Sequence, residues 1–120
     1  MKVLIVDDSK TMRMIVRRTL RQAGFEAVDV AEAESGNEAL TLLSKEKVDL
    51  ILSDWNMPGM SGLDLLVALR GAKNATRFGF ITSQSTPEMH ERARQSGAIF
   101  LIAKPFTPET FQEVLRPLLR

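Results

Sequence analysis

Five short apolar segments alternate with stretches of helical periodicity along this chain of 120 residues, and no other feature restricts the possible folds so strongly. The segments lie at residues 3–6, 27–31, 48–53, 78–82 and 99–103. The first, Val-Leu-Ile-Val, is a continuous aliphatic run, which is typical of a strand covered on both faces. The second alternates between apolar and polar residues and therefore indicates a half-exposed edge strand.

Helical patterns fill the intervals between these segments. They are predicted over residues 12–23 and 36–46, around Leu63, Leu66 and Val67, and after Thr86 and Thr107. Glycines at positions 24 and 71 are expected to end the first and third helices. The last two helices begin with the same tripeptide, Thr-Pro-Glu, which supplies an N-cap, a proline at the first helical position and an acid in the first turn. Pro117 is expected to end the last helix.

This alternation of strands and helices predicts an α/β fold. Consecutive strands are joined by right-handed crossovers, which gives a parallel sheet with helices on both faces. A chain of this length without a linker or an internal repeat forms one domain, residues 1–120. Functional groups in such folds lie beyond the carboxyl ends of the strands, near a reversal in strand order. Polar residues that directly follow the strands are therefore the candidates for function.

The composition excludes several classes of protein. Hydrophobic residues make up 44% and charged residues 26% of the chain, which is the balance of a globular domain, and the lack of cysteine excludes disulfides and thiolate metal sites. A net charge of +1 gives no electrostatic reason to expect direct nucleic-acid binding. With neither a signal peptide nor an apolar stretch long enough for membrane insertion, the chain is expected to be cytoplasmic. The arginines of the first helix are expected to be solvated; they are Arg13, Arg17, Arg18 and Arg21.

Charged and hydroxyl side chains follow four of the five predicted strands. Asp7 and Asp8 follow the first strand, Asp54 the third, Thr82 ends the fourth and Lys104 follows the fifth. Taken singly, each has an ordinary explanation as a helix cap, a turn residue or a solvated cation. These ordinary explanations do not account for the three carboxylates together. Two carboxylates about 4–5 Å apart repel by about 3–4 kcal/mol at an effective dielectric of about 20. A domain with a total stability of about 5–15 kcal/mol does not hold three such groups together without a cation.

A small number of oxygen ligands suits Mg²⁺. This ion keeps several of its waters and is commonly bound by one or two carboxylates together with a substrate phosphate. The open coordination positions imply that a phosphoryl group enters the site. Lys104 could then neutralise one phosphoryl oxygen, and the hydroxyl of Thr82 could donate to another. A carboxylate is a known nucleophile in phosphoryl transfer, and Asp54 is the candidate for that role.

Four motifs carry a resemblance to a known family. They are V-D-D-S-K-T-M-R at 6–13, S-D-W-N-M-P-G-M at 53–60, I-T-S at 81–83 and A-K-P-F at 103–106. In this order and on these strand ends they resemble the receiver domain of response regulators, and most closely its stand-alone chemotaxis members. The resemblance implies a flavodoxin-like, three-layer (βα)5 fold with the strand order 2-1-3-4-5.

The resemblance also implies a role for each residue of the site. Asp54 would be the phosphoacceptor, and Asp8, Asp54 and the backbone carbonyl of Asn56 would bind Mg²⁺, with Asp7 holding a metal-bound water. Lys104 would pair with the phosphoryl group, and the peptide bond after it would be cis.

Further residues would control the signal and its lifetime. Thr82 would be the switch hydroxyl, and Asn56 and Gln84 would tune the hydrolysis of the acyl phosphate. In the family, the switch hydroxyl at the position of Thr82 usually works together with an aromatic residue three positions before the lysine that corresponds to Lys104. Leu101 occupies that position here, and Phe100 beside it is expected on the opposite face of the strand. Leu101 is therefore predicted to be a weaker switch.

The implied phosphoryl donor is a phosphohistidine on a sensor kinase, and the implied output is a partner protein bound at the face of the fourth helix, fifth strand and fifth helix. Such a domain catalyses only its own phosphorylation and dephosphorylation and is not expected to be an enzyme. A phosphorelay carrier, a phosphate sink or the trimmed receiver of a larger regulator are alternatives. A Mg²⁺-dependent aspartyl-phosphate phosphatase is a more distant one, since such enzymes usually carry a second aspartate where this chain has Asn56. A flavodoxin-like cofactor module is disfavoured by the acids after the first strand.

Overall fold

The structure, a computed structural model, describes residues 1–119 and contains ten elements in strict alternation. The strands are β1 (Lys2–Val6), β2 (Asp29–Ala33), β3 (Leu50–Ser53), β4 (Arg77–Thr82) and β5 (Phe100–Ala103). The helices are α1 (Lys10–Gln22), α2 (Gly36–Lys45), α3 (Gly62–Gly71), α4 (Pro87–Ser96) and α5 (Pro108–Leu115). Every predicted element is therefore present in the predicted order.

The five strands form one parallel sheet in the order β2-β1-β3-β4-β5, as predicted. Two apolar clusters lie on its opposite faces. Leu4 and Ile51 belong to the cluster covered by α2, α3 and α4, while Ile5 and Leu52 belong to the one covered by α1 and α5. Successive strand residues thus enter different clusters, which explains why the central strands are continuous aliphatic runs. The strand order reverses between β1 and β3, at the carboxyl ends of two almost fully buried central strands.

The predicted bounds of the second strand were wrong by two residues. The sequence pattern placed it at 27–31, whereas β2 spans Asp29–Ala33. Gly24, at a φ of 97°, ends the first helix, and the backbone N–H of Val28 then donates to the carbonyl of Phe25 at 3.2 Å in a turn. This turn uses the residues whose alternation resembled the start of a strand.

The third helix is present around the predicted residues Leu63, Leu66 and Val67. Its buried face is formed by Leu65, Leu66 and Leu69, while Val67 is 55% exposed. A capping box starts this helix: Ser61 accepts from the backbone N–H of Asp64, whose side chain accepts from the backbone N–H of Ser61. It satisfies two backbone donors that would otherwise lack a partner at the helix start.

The predicted starts of the last two helices are confirmed. Thr86 and Thr107 accept from backbone N–H groups three residues later, and a proline occupies the first helical position in each case. The last helix ends at Leu115, two residues before Pro117. The Lys104–Pro105 peptide bond is cis, as the resemblance implied. Within residues 1–119, no helix combines the length and the apolar character that crossing a membrane requires.

Candidate functional site

Three carboxylates meet at the point where the strand order reverses. Val6 and Ser53 are paired neighbours in β1 and β3, so the residues that follow them, Asp7 and Asp54, leave the sheet side by side. One carboxylate oxygen from each of Asp7, Asp8 and Asp54 lies within 4.8 Å of the others. Asp7 is buried, Asp54 is half-buried and Asp8 is exposed. The predicted acidic cluster is therefore present as a compact set of oxygen donors open to solvent on one side.

Short hydrogen bonds hold two of these carboxylates in place. The backbone N–H of Ser9 donates to Oδ1 of Asp7 at 2.9 Å, and the backbone N–H of Trp55 donates to Oδ1 of Asp54 at 2.7 Å. The backbone N–H of Asn56 also donates to the Asp54 side chain. Charge-assisted bonds of this kind stabilise the ionised form and fix its orientation. They leave Oδ2 of each carboxylate for other partners.

Lys104 is the cation of the site, but it only partly compensates the negative charge. Its Nζ lies 3.5 Å from Oδ2 of Asp7 and 3.7 Å from Oδ2 of Asp54. Burial raises the pKa of Asp54 above its ordinary value; the Lys104 charge opposes this rise, and the charge of Asp7 adds to it. The net increase means that the pocket favours additional positive charge next to Asp54.

The donor set fits a hard divalent cation. Three carboxylates within reach of one another offer oxygen ligands in small number, and solvent can fill the remaining positions, which is the coordination that Mg²⁺ prefers. Asp8 and Asp54 are the exposed and half-buried members that can reach such an ion. Asn56 lies directly beside Asp54, although the role of its carbonyl as a ligand stays a prediction.

The remaining predicted residues lie at the ends of β4 and β5. Thr82 is fully buried, and its Oγ1 accepts from the backbone N–H of Gln84 at 3.3 Å. The side chain of Gln84 is 3.5 Å from that of Asn56, so the two predicted hydrolysis residues are neighbours. The backbone N–H of Lys104 donates to the carbonyl of Thr82 at 2.8 Å. Movement of the Thr82 backbone would therefore also displace Lys104.

Leu101 and Phe100 lie on opposite faces of β5, as predicted. Leu101 is half-buried against the cluster covered by α2, α3 and α4, and it borders a groove of about 400 Å³ between α4 and β5. Phe100 packs in the other cluster, where its ring covers Gly79 on the paired strand. A Cβ on Gly79 would lie 2.1 Å from that ring, so the aromatic side chain fits only above glycine.

Two features of the site were not recognised in the sequence. A Cβ on Gly62 would lie 2.0 Å from the carbonyl oxygen of Asp54, so α3 begins in direct contact with the site. The expectation that Arg13 is solvated was wrong: its side chain is only 11% exposed and bonds to Asp7 and Glu32. Two sequence signals were available. The Ser-Gly pair that follows the strand-end aspartate could have indicated the close approach at Gly62, and the arginines four residues apart on α1 could have indicated the ion pairs of Arg13.

Comparison with known proteins agrees with this geometry. The family model of the response regulator receiver domain matches residues 3–116. The chain belongs to the response regulator receiver domain family.

Among its relatives, the chain is 43% identical over 117 residues to chemotaxis protein CheY-3 of Vibrio cholerae, covering 96% of this chain and 88% of that protein. It is 39% identical over 115 residues to chemotaxis protein CheY of Pseudomonas aeruginosa, covering 94% and 91%. The solved structure of Vibrio cholerae CheY4 superposes with a TM-score of 0.86 at 38% identity, covering 98% of both chains. The receiver domain of the Francisella response regulator 1452 gives a TM-score of 0.87 at 27% identity, covering 98% of this chain and 95% of that one.

Proposed function

We propose that this chain is a phosphorylation-activated response regulator of a two-component system, with Asp54 as the phosphoacceptor. The observation that carries the proposal is the meeting of three carboxylates and Lys104 at the carboxyl ends of the strands. A carboxylate oxygen of Asp54 forms a bond to phosphorus, and the bond from phosphorus to the histidine nitrogen of a sensor kinase breaks. The electron pair of that bond stays on the imidazole nitrogen.

Each neighbouring residue has a defined task in this transfer. Asp8, Asp54 and the carbonyl of Asn56 would hold Mg²⁺, with Asp7 holding a water on the ion. When bound, the ion stabilises the negative charge of the transferring group. The ammonium of Lys104, already directed at Oδ2 of Asp54, pairs with a phosphoryl oxygen.

The signal leaves the site through Thr82. Its hydroxyl now accepts from the N–H of Gln84, and donation to a phosphoryl oxygen requires the β4–α4 loop to move toward Asp54. Such a movement would repack Leu101 and the α4–β5–α5 face, where a partner protein binds. A complete switch from 1:99 to 99:1 requires about 5.5 kcal/mol of differential stabilisation.

The relatives support a role in chemotaxis, since two of them are named chemotaxis proteins. We place the protein in the cytoplasm, with a sensor histidine kinase as donor and a downstream protein as target. It turns over no free substrate and is not an enzyme in that sense. Leu101 favours a second candidate function, a phosphorelay carrier or phosphate sink, because neither role requires strong coupling to a partner.

Intact-mass measurement after incubation with acetyl phosphate tests the proposal. We expect the mass of one phosphoryl group to be added, only with Mg²⁺ present, and Asp54→Asn to abolish the addition. Labelling that persists in Asp54→Asn, or that proceeds without a divalent ion, would contradict it. Sustained turnover of phosphate esters would instead favour a phosphatase.

Capture of partners with and without beryllofluoride, a mimic of the phosphoryl group, tests the output. We expect a regulator to show a partner that binds more tightly with the mimic. A carrier or sink would show kinase or phosphotransfer partners alone.

A further inference from the structure

Arg13 is a largely buried cation, with 11% of its side chain exposed, and it contacts the acidic site through the backbone rather than through a carboxylate. Its Nη1 donates to the carbonyl oxygen of Asp7 at 2.7 Å. That carbonyl belongs to the peptide that joins Asp7 to Asp8, so the guanidinium lies one peptide away from two of the three clustered carboxylates. The contact is short and charge-assisted, and such bonds are among the strongest that fix a backbone group.

Glu32 on β2 holds Arg13 in this position. Nε of Arg13 donates to Oε1 of Glu32 at 2.8 Å, and Arg17 pairs with Oε2 of the same carboxylate at 2.9 Å. The planar guanidinium therefore bridges the end of β1 and the neighbouring strand β2 with two donors of fixed geometry. A lysine has a single nitrogen and lacks this fork.

We propose that Arg13 is a positioning residue that fixes the Asp7–Asp8 peptide and thereby orients the carboxylates for Mg²⁺. This inference rests on the proposed function. The N–H of Asp7 is bonded to Ala33, and Oδ1 of Asp7 to the N–H of Ser9. The Arg13 contact occupies the carbonyl that follows, so rotation of the peptide would break it and would carry Asp8 away from Asp54.

Two effects of Arg13 on magnesium affinity have opposite signs, which makes the proposal testable. As a positive charge near the site, Arg13 disfavours a divalent cation, so its removal would tighten binding. As a positioning group, it holds the ligands in place, so its removal would weaken binding. Loss of an outer partner of a metal ligand typically weakens metal affinity by about 10–100-fold. We expect positioning to dominate.

Calorimetric titration of the metal-free protein with Mg²⁺ measures whether the charge effect or the positioning effect of Arg13 dominates. For Arg13→Met we expect roughly tenfold weaker binding. Arg13→Lys keeps the charge without the fork and should also bind more weakly, whereas Glu32→Gln should weaken binding less. Arg18→Met, which removes an exposed cation from the same helix, is the matched control and should leave the affinity unchanged.

Kinetics with acetyl phosphate separate positioning from a merely structural role. In Arg13→Met the Mg²⁺ concentration at half-maximal rate should rise, while the rate at saturating Mg²⁺ should approach that of the unchanged protein. Unchanged or tighter Mg²⁺ binding in Arg13→Met overturns the proposal, as does a lower urea midpoint with the affinity intact. If that variant does not fold, unchanged affinity in both Arg13→Lys and Glu32→Gln overturns it. Failure of the unchanged protein to bind Mg²⁺ would overturn the proposed function instead.

Discussion

The carboxylate half of the site, at the ends of β1 and β3, and the reporter half, at the ends of β4 and β5, are held by different kinds of contact. In the carboxylate half, backbone N–H groups reach Asp7 at 2.9 Å and Asp54 at 2.7 Å. In the reporter half, Thr82 accepts from Gln84 at the longer distance of 3.3 Å, while Lys104 is directed at the carboxylates, 3.5 Å from Asp7, and is grouped with them. Groups that react must be fixed in advance, because a small displacement is costly in rate. Groups that report must instead have a second arrangement within reach.

Packing separates the edge strand β5 from the central strands, and Thr82 at the end of β4 is as fully buried as the ends of β1 and β3. At the ends of the central strands, Val6 and Ser53 are fully buried. At the end of the edge strand, Ala103 is exposed and Leu101 is half-buried beside an open groove of about 400 Å³. Close packing leaves no alternative position for a side chain, whereas an open groove does. If the proposed function holds, the ends of β1 and β3 provide the rigidity that phosphoryl transfer requires, and the edge strand β5 with α4 provides room for a conformational change.

Replacing Lys104 should give the largest effect, because Lys104 is the cation that links the two halves. For Lys104→Met we expect phosphorylation by acetyl phosphate to slow by about 100-fold, as for the loss of one preorganised charged donor. Mg²⁺ binding should be retained or tightened, since a nearby positive charge is removed. Exposed Lys47, which precedes β3 at the opposite end of the sheet, offers the control Lys47→Met. A rate within a few-fold of the unchanged protein would show that Lys104 does not assist transfer.

A larger side chain at Gly62 should disturb the carboxylate half directly. An alanine Cβ there would lie 2.0 Å from the carbonyl oxygen of Asp54, so either α3 or the Asp54 backbone must shift. We expect Gly62→Ala to lower the free energy of unfolding by about 1–3 kcal/mol and to slow phosphorylation. Gly71→Ala, at the other end of α3, meets nothing within 4 Å among the described residues and should be neutral or slightly stabilising. Urea denaturation measures both, and equal stabilities would contradict the packing argument.

Neutralising Asp54 should stabilise the metal-free protein. Burial raises the pKa of Asp54, so the folded state binds this proton more tightly than the unfolded chain does. Stability is therefore lost as pH rises from the ordinary aspartate range through the raised pKa, and the loss is complete above that pKa. Asp54→Asn should raise the free energy of unfolding by about 0.5–2 kcal/mol at neutral pH, as is common when a functional site is relieved of strain. Urea denaturation between acidic and neutral pH measures this difference in the free energy of unfolding. The gain from Asp54→Asn should vanish at acidic pH and shrink when Mg²⁺ is added. The control Asp29→Asn, at an exposed position, should show no such gain.

The fold was predictable to a similar degree in both halves. The apolar segments identified all five strands within two residues of their bounds. The edge strand β2 was displaced, because Phe25 and Val28 are apolar and pack against the cluster under α1 and α5 while belonging to a turn. Leu63, Leu66 and Val67 correctly marked the third helix, but apolar character alone does not show which face a helix buries, and Val67 is exposed.

The residues of the site that follow strand ends could be predicted from the order of the strands. Contacts made by a side chain or glycine of one element with the backbone of another could not. Strand ends converge in any parallel sheet of this kind, so Asp7, Asp54 and Lys104 could be brought together from sequence. The bond from Arg13 to the carbonyl of Asp7 depends on how α1 packs against β2, which periodicity does not specify. The fit of Gly62 beneath Asp54 depends on a similar close approach.

Enlarging Leu101 tests whether the reporter half is weakly coupled because of this residue. Leu101 borders the groove between α4 and β5, so a tyrosine there gains a hydrophobic ring that can occupy an inward or an outward position. For Leu101→Tyr we expect the beryllofluoride-induced change in amide hydrogen exchange of α4 to increase about threefold, equivalent to less than ~1 kcal/mol of added coupling. Met14→Tyr is the control, because it adds the same ring at an exposed position of α1, away from the groove, and should leave the response unchanged. An equal response in the unchanged protein and in Leu101→Tyr would mean that the signal leaves Thr82 by another route. The contrast between the two halves would then rest on Thr82 alone.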